Sequence, residues 1–83
     1  MRAIVNGKLY DTEKANRIMV VFVPDGDSHI KTFDVYQSQK GNIFAVYRNE
    51  DMMISISQIK EMINGRPDLI DAYIQFFGMP EEA

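Results

Sequence analysis

Apolar residues flank Asn6-Gly7 on both sides. That pattern predicts two short strands, at about residues 2–5 and 8–10, joined by a type I′ turn. Tyr10-Asp11-Thr12-Glu13-Lys14-Ala15 then reads as the opening of a short helix. Asp11 supplies the N-cap, Glu13 lies near the positive end of the dipole, and Tyr10 and Ala15 have the spacing of a hydrophobic staple. The helix must be short, because Ile18-Met19-Val20-Val21-Phe22-Val23 is apolar and rich in β-branched residues. Such a run predicts a strand buried on both faces or nearly so, ended by the turn residues Pro24-Asp25-Gly26-Asp27.

The pattern returns to period two over residues 30–37 and 43–48, a second hairpin. Phe33, Val35 and Gln37 share one face, Asp34 and Tyr36 the other, and Phe44 and Val46 line the return strand. Gly41-Asn42 predicts a two-residue type II′ turn between them. Met52-Met53-Ile54 adds a short last strand. From Ser55 the period becomes helical. Ser55 and Gln58 fit a capping box with Ile54 and Ile59 as its staple, Ile56, Ile59 and Ile63 form a stripe, and Gly65 is the stop. A second helix is predicted from Pro67 to about Phe77, capped by Gly78 and followed by Pro80. Its polar residues Asp68, Asp71 and Gln75 make only a narrow stripe, so the helix needs burial on more than one side.

These elements predict an α+β fold within one domain spanning residues 1–83. The expected architecture is a twisted antiparallel sheet of four or five strands, with a short early helix and two C-terminal helices packed on one face.

Composition narrows the function classes. Apolar residues are 46% and charged residues 25% of 83, ordinary for a globular chain that buries about 60% of its unfolded surface. There is no cysteine, which excludes disulfides, thiolate metal sites and a thiol nucleophile and favours a cytoplasmic location. No apolar run is long enough for a membrane span and the N-terminus has no signal-peptide pattern, so no membrane association is expected. The net charge of −3 is uneven: residues 1–48 carry seven Lys/Arg against five Asp/Glu, and residues 49–83 carry two against seven. Neither half has the density of a strong nucleic-acid binder or of a DNA mimic.

Candidate chemistry is sparse. The lone His29 lies beside Asp27 and Ser28 in a turn, and adjacency in sequence does not make a triad. Asp25, Asp27 and His29 lack the spacing and distal glutamate of a calcium loop. The carboxylate pairs Glu50-Asp51, Asp68/Asp71 and Glu81-Glu82 fall in a loop, on a solvated stripe and in a tail. No phosphate-binding glycine motif is present. The expectation is therefore no catalytic site, no cofactor and no metal. Two binding surfaces stand out. Lys8, Lys14, Arg17, Lys31, Lys40 and Arg48 alternate with Tyr10, Phe33, Tyr36, Phe44 and Tyr47 on the predicted sheet, a pattern that either stacks nucleic-acid bases or turns its aromatics to the core. Tyr73, Phe76, Phe77 and Met79 gather large apolar groups near the chain end. They either pack on the preceding helix or form the partner-binding surface.

Two segments carry a family resemblance. Lys8-Leu9-Tyr10-Asp11-Thr12-Glu13-Lys14-Ala15 resembles the K-x-Y-D-T-x-x-A opening of small proteins encoded by phages and integrative elements of Gram-positive bacteria. Val35-Tyr36-Gln37-Ser38-Gln39-Lys40-Gly41-Asn42-Ile43-Phe44 resembles their L-Y-x-T-x-K-G-x-x-F hairpin, with Ser38 where the pattern has Thr. The C-terminal helices match less well. The resemblance implies an accessory protein of a mobile element, in a setting that includes anti-CRISPR proteins. The resulting expectation is a non-enzymatic module that binds a host or phage protein, as an inhibitor of a host defence system such as CRISPR. The alternative is a nucleic-acid-binding accessory protein using the basic aromatic sheet face. A homodimer through the C-terminal helices is expected, against a monomer that keeps this surface for a partner.

Overall fold

The computed structural model describes residues 1–83, the side chains of Asp25 and Phe76 excepted. Strands β1 (Arg2–Val5) and β2 (Lys8–Asp11) pair antiparallel across Asn6 and Gly7, whose φ angles of 52° and 76° are those a type I′ turn requires. Asp11 then caps a turn, accepting from the Glu13 N–H at 3.0 Å. The short early helix is a single 3₁₀ turn, Thr12–Lys14. It goes no further because the β-branched run draws the chain straight into β3 (Asn16–Asp25).

Strands β3, β4 (His29–Gln37), β5 (Ile43–Tyr47) and β6 (Met52–Ser55) form one antiparallel sheet in that order. The β1–β2 hairpin is a separate two-stranded sheet. Helix α1 (Ile56–Ile63) starts at the expected capping box: the Gln58 N–H donates to Ser55 Oγ at 3.3 Å and the Ser55 N–H to Gln58 Oε1 at 2.8 Å. The second predicted helix begins as a 3₁₀ turn, Pro67–Leu69, and becomes α-helical only as α2 (Ile70–Phe77). Gly78, at φ 79°, ends α2 by donating to Ile74 O at 2.9 Å.

The two faces of the main sheet carry different cores. On one, Val21, Val23, Phe33, Val35, Ala45 and Ile54 meet Ile59 and Ile63 of α1 and Leu69. On the other, Phe44, Val46 and Met53 meet Val5, with Ala3, Tyr10, Ala15 and Tyr36 packed around them. Tyr10 and Ala15, and likewise Ile54 and Ile59, fall in shared clusters as their staple spacing predicts.

This layering corrects two sequence expectations. The Ile18–Val23 run is not buried on both faces: β3 is an edge strand, with Val21 and Val23 buried towards the helices while Ile18 and Phe22 are exposed. The strands covered on both sides are β5, where Phe44, Ala45 and Val46 are consecutive and all buried, and its neighbour β6, where Met53 and Ile54 enter opposite cores. The β4–β5 connection also differs. Ser38 N–H donates to Asn42 O at 2.8 Å, Asn42 N–H to Ser38 Oγ at 3.1 Å and Gly41 N–H to Ser38 O at 2.9 Å. The turn therefore runs over residues 38–41 with Gln39-Lys40 at its centre, and Gly41, at φ 88°, is the left-handed residue that returns the chain to the strand. A hydroxyl at position 38 closes this loop, a role that serine fills as threonine would.

Candidate functional site

The β1–β2 hairpin covers only part of the sheet face opposite the helices. The far part, made of the β3–β4 arm, is left open. Phe22 pairs with Thr32 and Pro24 with Ile30 across the two strands. Phe22 is 61% exposed and Ile30 58%. Ile18, at the bulge where the register shifts between Arg17 and Met19, is 42% exposed. The segment Ile18–Pro24 carries no charged residue. An apolar group of this kind on an edge strand departs from the usual practice of blunting edges with charge.

Asp34 marks the border between the covered and open parts. Arg48 grips its carboxylate with two hydrogen bonds, Nε to Oδ2 at 3.1 Å and Nη2 to Oδ1 at 2.7 Å, and Arg17 Nη1 lies 3.6 Å from Oδ1. The Arg48 hydrogen bond is the main cause that holds the Asp34 carboxyl below its ordinary value of 3.8, with partial desolvation opposing it and the charges of Arg48 and Arg17 adding to it. A depressed carboxylate adds stability that is fully present above the unfolded pKa and is lost as pH falls through the folded one. Asp34→Asn is therefore expected to remove part of the protein's acid sensitivity below about pH 4. Urea unfolding at neutral and acidic pH checks this: the stability difference between the two should be smaller in the variant, and an unchanged difference would contradict the pairing.

A second feature is a cleft of about 570 Å³ between β2 and the β4–β5 loop. Arg2, Lys8, Lys14 and Lys40 line it, with Tyr10 and Asn42. Asp11, the lone carboxylate on its wall, is engaged as the cap of the 3₁₀ turn. None of the four cations has an ion pair among the described residues. The cleft is thus locally positive in a chain of net charge −3. Both motifs of the resemblance contribute to its walls.

Of the two readings of the basic and aromatic sheet residues, the structure has the aromatics turned to the cores. Phe33 and Phe44 are fully buried, and Tyr36 stacks on Phe44 with centroids 5.4 Å apart. Tyr10 lies 4.8 Å from the Phe44 ring. Tyr47 is half-buried against Phe33, with the Lys31 ammonium over its ring at 5.8 Å. Arg17 and Arg48 are committed to Asp34. The aromatics face the cores and offer no platform for stacking bases.

The four apolar residues near the chain end also separate. Tyr73 and Phe77 are half-buried against the helix-side core, their rings 4.9 Å apart, with Lys60 Nζ 5.6 Å above Phe77. Met79 lies beyond α2 and is 81% exposed. The side chain of Phe76 lies outside the described residues. A groove of about 380 Å³ opens at the α1–α2 corner, between Ile63, Leu69, Ile70, Tyr73 and Pro80. Asp27 is exposed on the β3–β4 turn and His29 is exposed at the start of β4, and the Asp25 side chain lies outside the described residues. Among the described residues no three His, Asp or Glu side chains come together to hold a metal. Glu50 and Asp51 occupy the β5–β6 turn, Asp68 pairs with Arg66 at 3.1 Å, and Glu81 and Glu82 are exposed.

No family model matches this chain, and no curated protein or solved structure matches it significantly. Among the described residues no helix is long and apolar enough to cross a membrane. Sequence reasoning missed the open β3–β4 face, although one signal pointed to it. Pro24 interrupts the apolar run, and a proline within a strand pattern marks an edge.

Proposed function

We propose that the protein is a non-enzymatic binding module that engages a host or phage protein through the open β3–β4 face. Phe22 carries this reading. It is 61% exposed in the middle of a seven-residue uncharged segment, on a sheet face whose other half is already covered. Burying one such side chain against a partner contributes about 1.5–3 kcal/mol. Ile18 and Ile30 extend the contact, and the Arg17–Asp34–Arg48 cluster gives it a polar rim. The resemblance of two segments to motifs of small proteins of phages and integrative elements supports a role as an accessory protein of a mobile element, as an inhibitor of a host defence system such as CRISPR.

Affinity capture from host lysate with the native chain and with Phe22→Asp tests the reading. The native chain should retain a protein that survives high salt, and Phe22→Asp should lose it while keeping the native circular dichroism. A partner held equally well by Phe22→Asp would move the interface elsewhere.

A second reading, a nucleic-acid-binding accessory protein, is favoured by the basic cleft alone. Four cations around a 570 Å³ opening suit a phosphate backbone. This reading requires affinity to fall steeply as salt rises, with Lys8→Ala and Lys40→Ala each weakening binding without regard to nucleic-acid sequence.

A further inference from the structure

The backbone of β3 has a free edge, and its polarity can be deduced residue by residue. Thr32 O accepts from Arg48 N–H at 2.9 Å, so the polar groups of Thr32 point towards β5. In an antiparallel ladder a residue whose groups point one way faces a neighbour on the other side through a non-hydrogen-bonded pair. Thr32 is opposite Phe22, so the N–H and C=O of Phe22 point away from β4, into the open. By alternation those of Val20 and Pro24 do the same. Pro24 fits this twice over. It has no N–H to lose at an outward position, and its carbonyl accepts from Arg66 Nη1 at 3.1 Å, across the α1–α2 connection. The open edge is therefore bounded by the Ile18 bulge at one end and by Pro24 at the other. Between them stand the N–H and C=O of Val20 and Phe22.

We propose that this edge pairs with the same edge of a second copy, antiparallel about a two-fold axis through Val21, to give one continuous eight-stranded sheet. The proposal goes beyond the partner-binding reading and does not depend on it. Two observations select this occupant and register. Only the register that sets Val20 opposite Phe22 of the second copy uses all four open groups of each chain, making four hydrogen bonds. Moving the axis to Phe22 would set Val20 opposite Pro24, which has no donor and whose carbonyl Arg66 already occupies. The side chains of Val20 and Phe22 are on the open face, so each Phe22 gains the other copy's Val20 as a cross-strand neighbour. Tyr73 and Phe77 already pack on their own core, which leaves the C-terminal helices less need of a second copy than the edge has.

Sedimentation of the purified chain over a wide concentration range, with no partner present, is the test. The mass should rise from 9.6 kDa to twice that value. The amide protons of Val20 and Phe22 should exchange rapidly when dilute and become protected as the dimer forms. Val20→Pro removes one outward donor per copy without touching the β4 ladder, and should weaken the dimer by at least about tenfold. A mass that stays monomeric throughout overturns the proposal. So does a dimer in which the Val20 and Phe22 amides still exchange rapidly, because its contact must lie elsewhere. If Val20→Pro fails to fold, these two amides decide the matter in the native chain.

Discussion

Phe44→Ala is expected to remove about 3–5 kcal/mol of stability, a large part of the total of about 4–12 kcal/mol that a chain of this length carries. Phe44 lies on β5, a strand buried on both sides, and has no exposed surface. Its ring meets Tyr10 of β2 at 4.8 Å and Tyr36 of β4 at 5.4 Å. It therefore forms the seat on which the β1–β2 hairpin rests, along with Val46 and Met53. A two-stranded hairpin is marginal by itself in water, so losing the seat should release the hairpin as well as leave a cavity. Urea unfolding measures the loss. In the dilute monomer Phe22→Ala is the control: the same side chain, mostly in solvent, should change stability by no more than about 0.5 kcal/mol. A loss below about 1 kcal/mol for Phe44→Ala would mean that the hairpin is not docked as described.

The second large effect is expected on the opposite face. Ile59 is fully buried between α1 and the sheet, in one cluster with Ile54, Ile63 and Leu69. Helix α1 has eight residues, too few for a stable isolated helix in water, so its existence depends on packing and on the Ser55–Gln58 cap. Ile59→Ala should cost about 2–5 kcal/mol and loosen α1 and α2 before the sheet. Amide exchange should show protection lost first in residues 56–77 and retained in β4 and β5. Uniform loss across all elements would show instead that the two layers form one cooperative unit with no weaker side.

The local elements were legible in the sequence because their determinants lie within a few residues of each other. Asn6-Gly7 dictates a positive-φ pair, Asp11 caps the next turn, Ser55 and Gln58 close a reciprocal box, and Gly78 ends α2. Each interaction spans at most four residues and needs nothing from the rest of the fold. Gly41 was legible only in part. Its positive φ follows from the residue type, but the turn centre moved to Gln39-Lys40 because Ser38 and Asn42 bond to each other across the loop.

Burial of whole strands was not legible in this way. Phe22 and Phe44 are the same residue in strands of similar pattern, yet one is open and the other sealed. Composition favoured β3, with its longer apolar run, as the strand covered on both sides. Strand order made β3 an edge, and the separate hairpin settled over β5. The same rule governs the candidate sites. Tyr73 and Phe77 stood out by residue type, but the core takes up much of their surface. Arg2 and Lys8 meet Lys14 and Lys40 around one cleft only because the hairpin lies beside the β4–β5 loop. The sequence by itself determined the turns, the caps and the order of strands and helices, since these depend on neighbours along the chain. Which apolar face stays open and which cations converge was decided by the tertiary structure. Both depend on distant segments occupying the same space, and residue types alone do not record that.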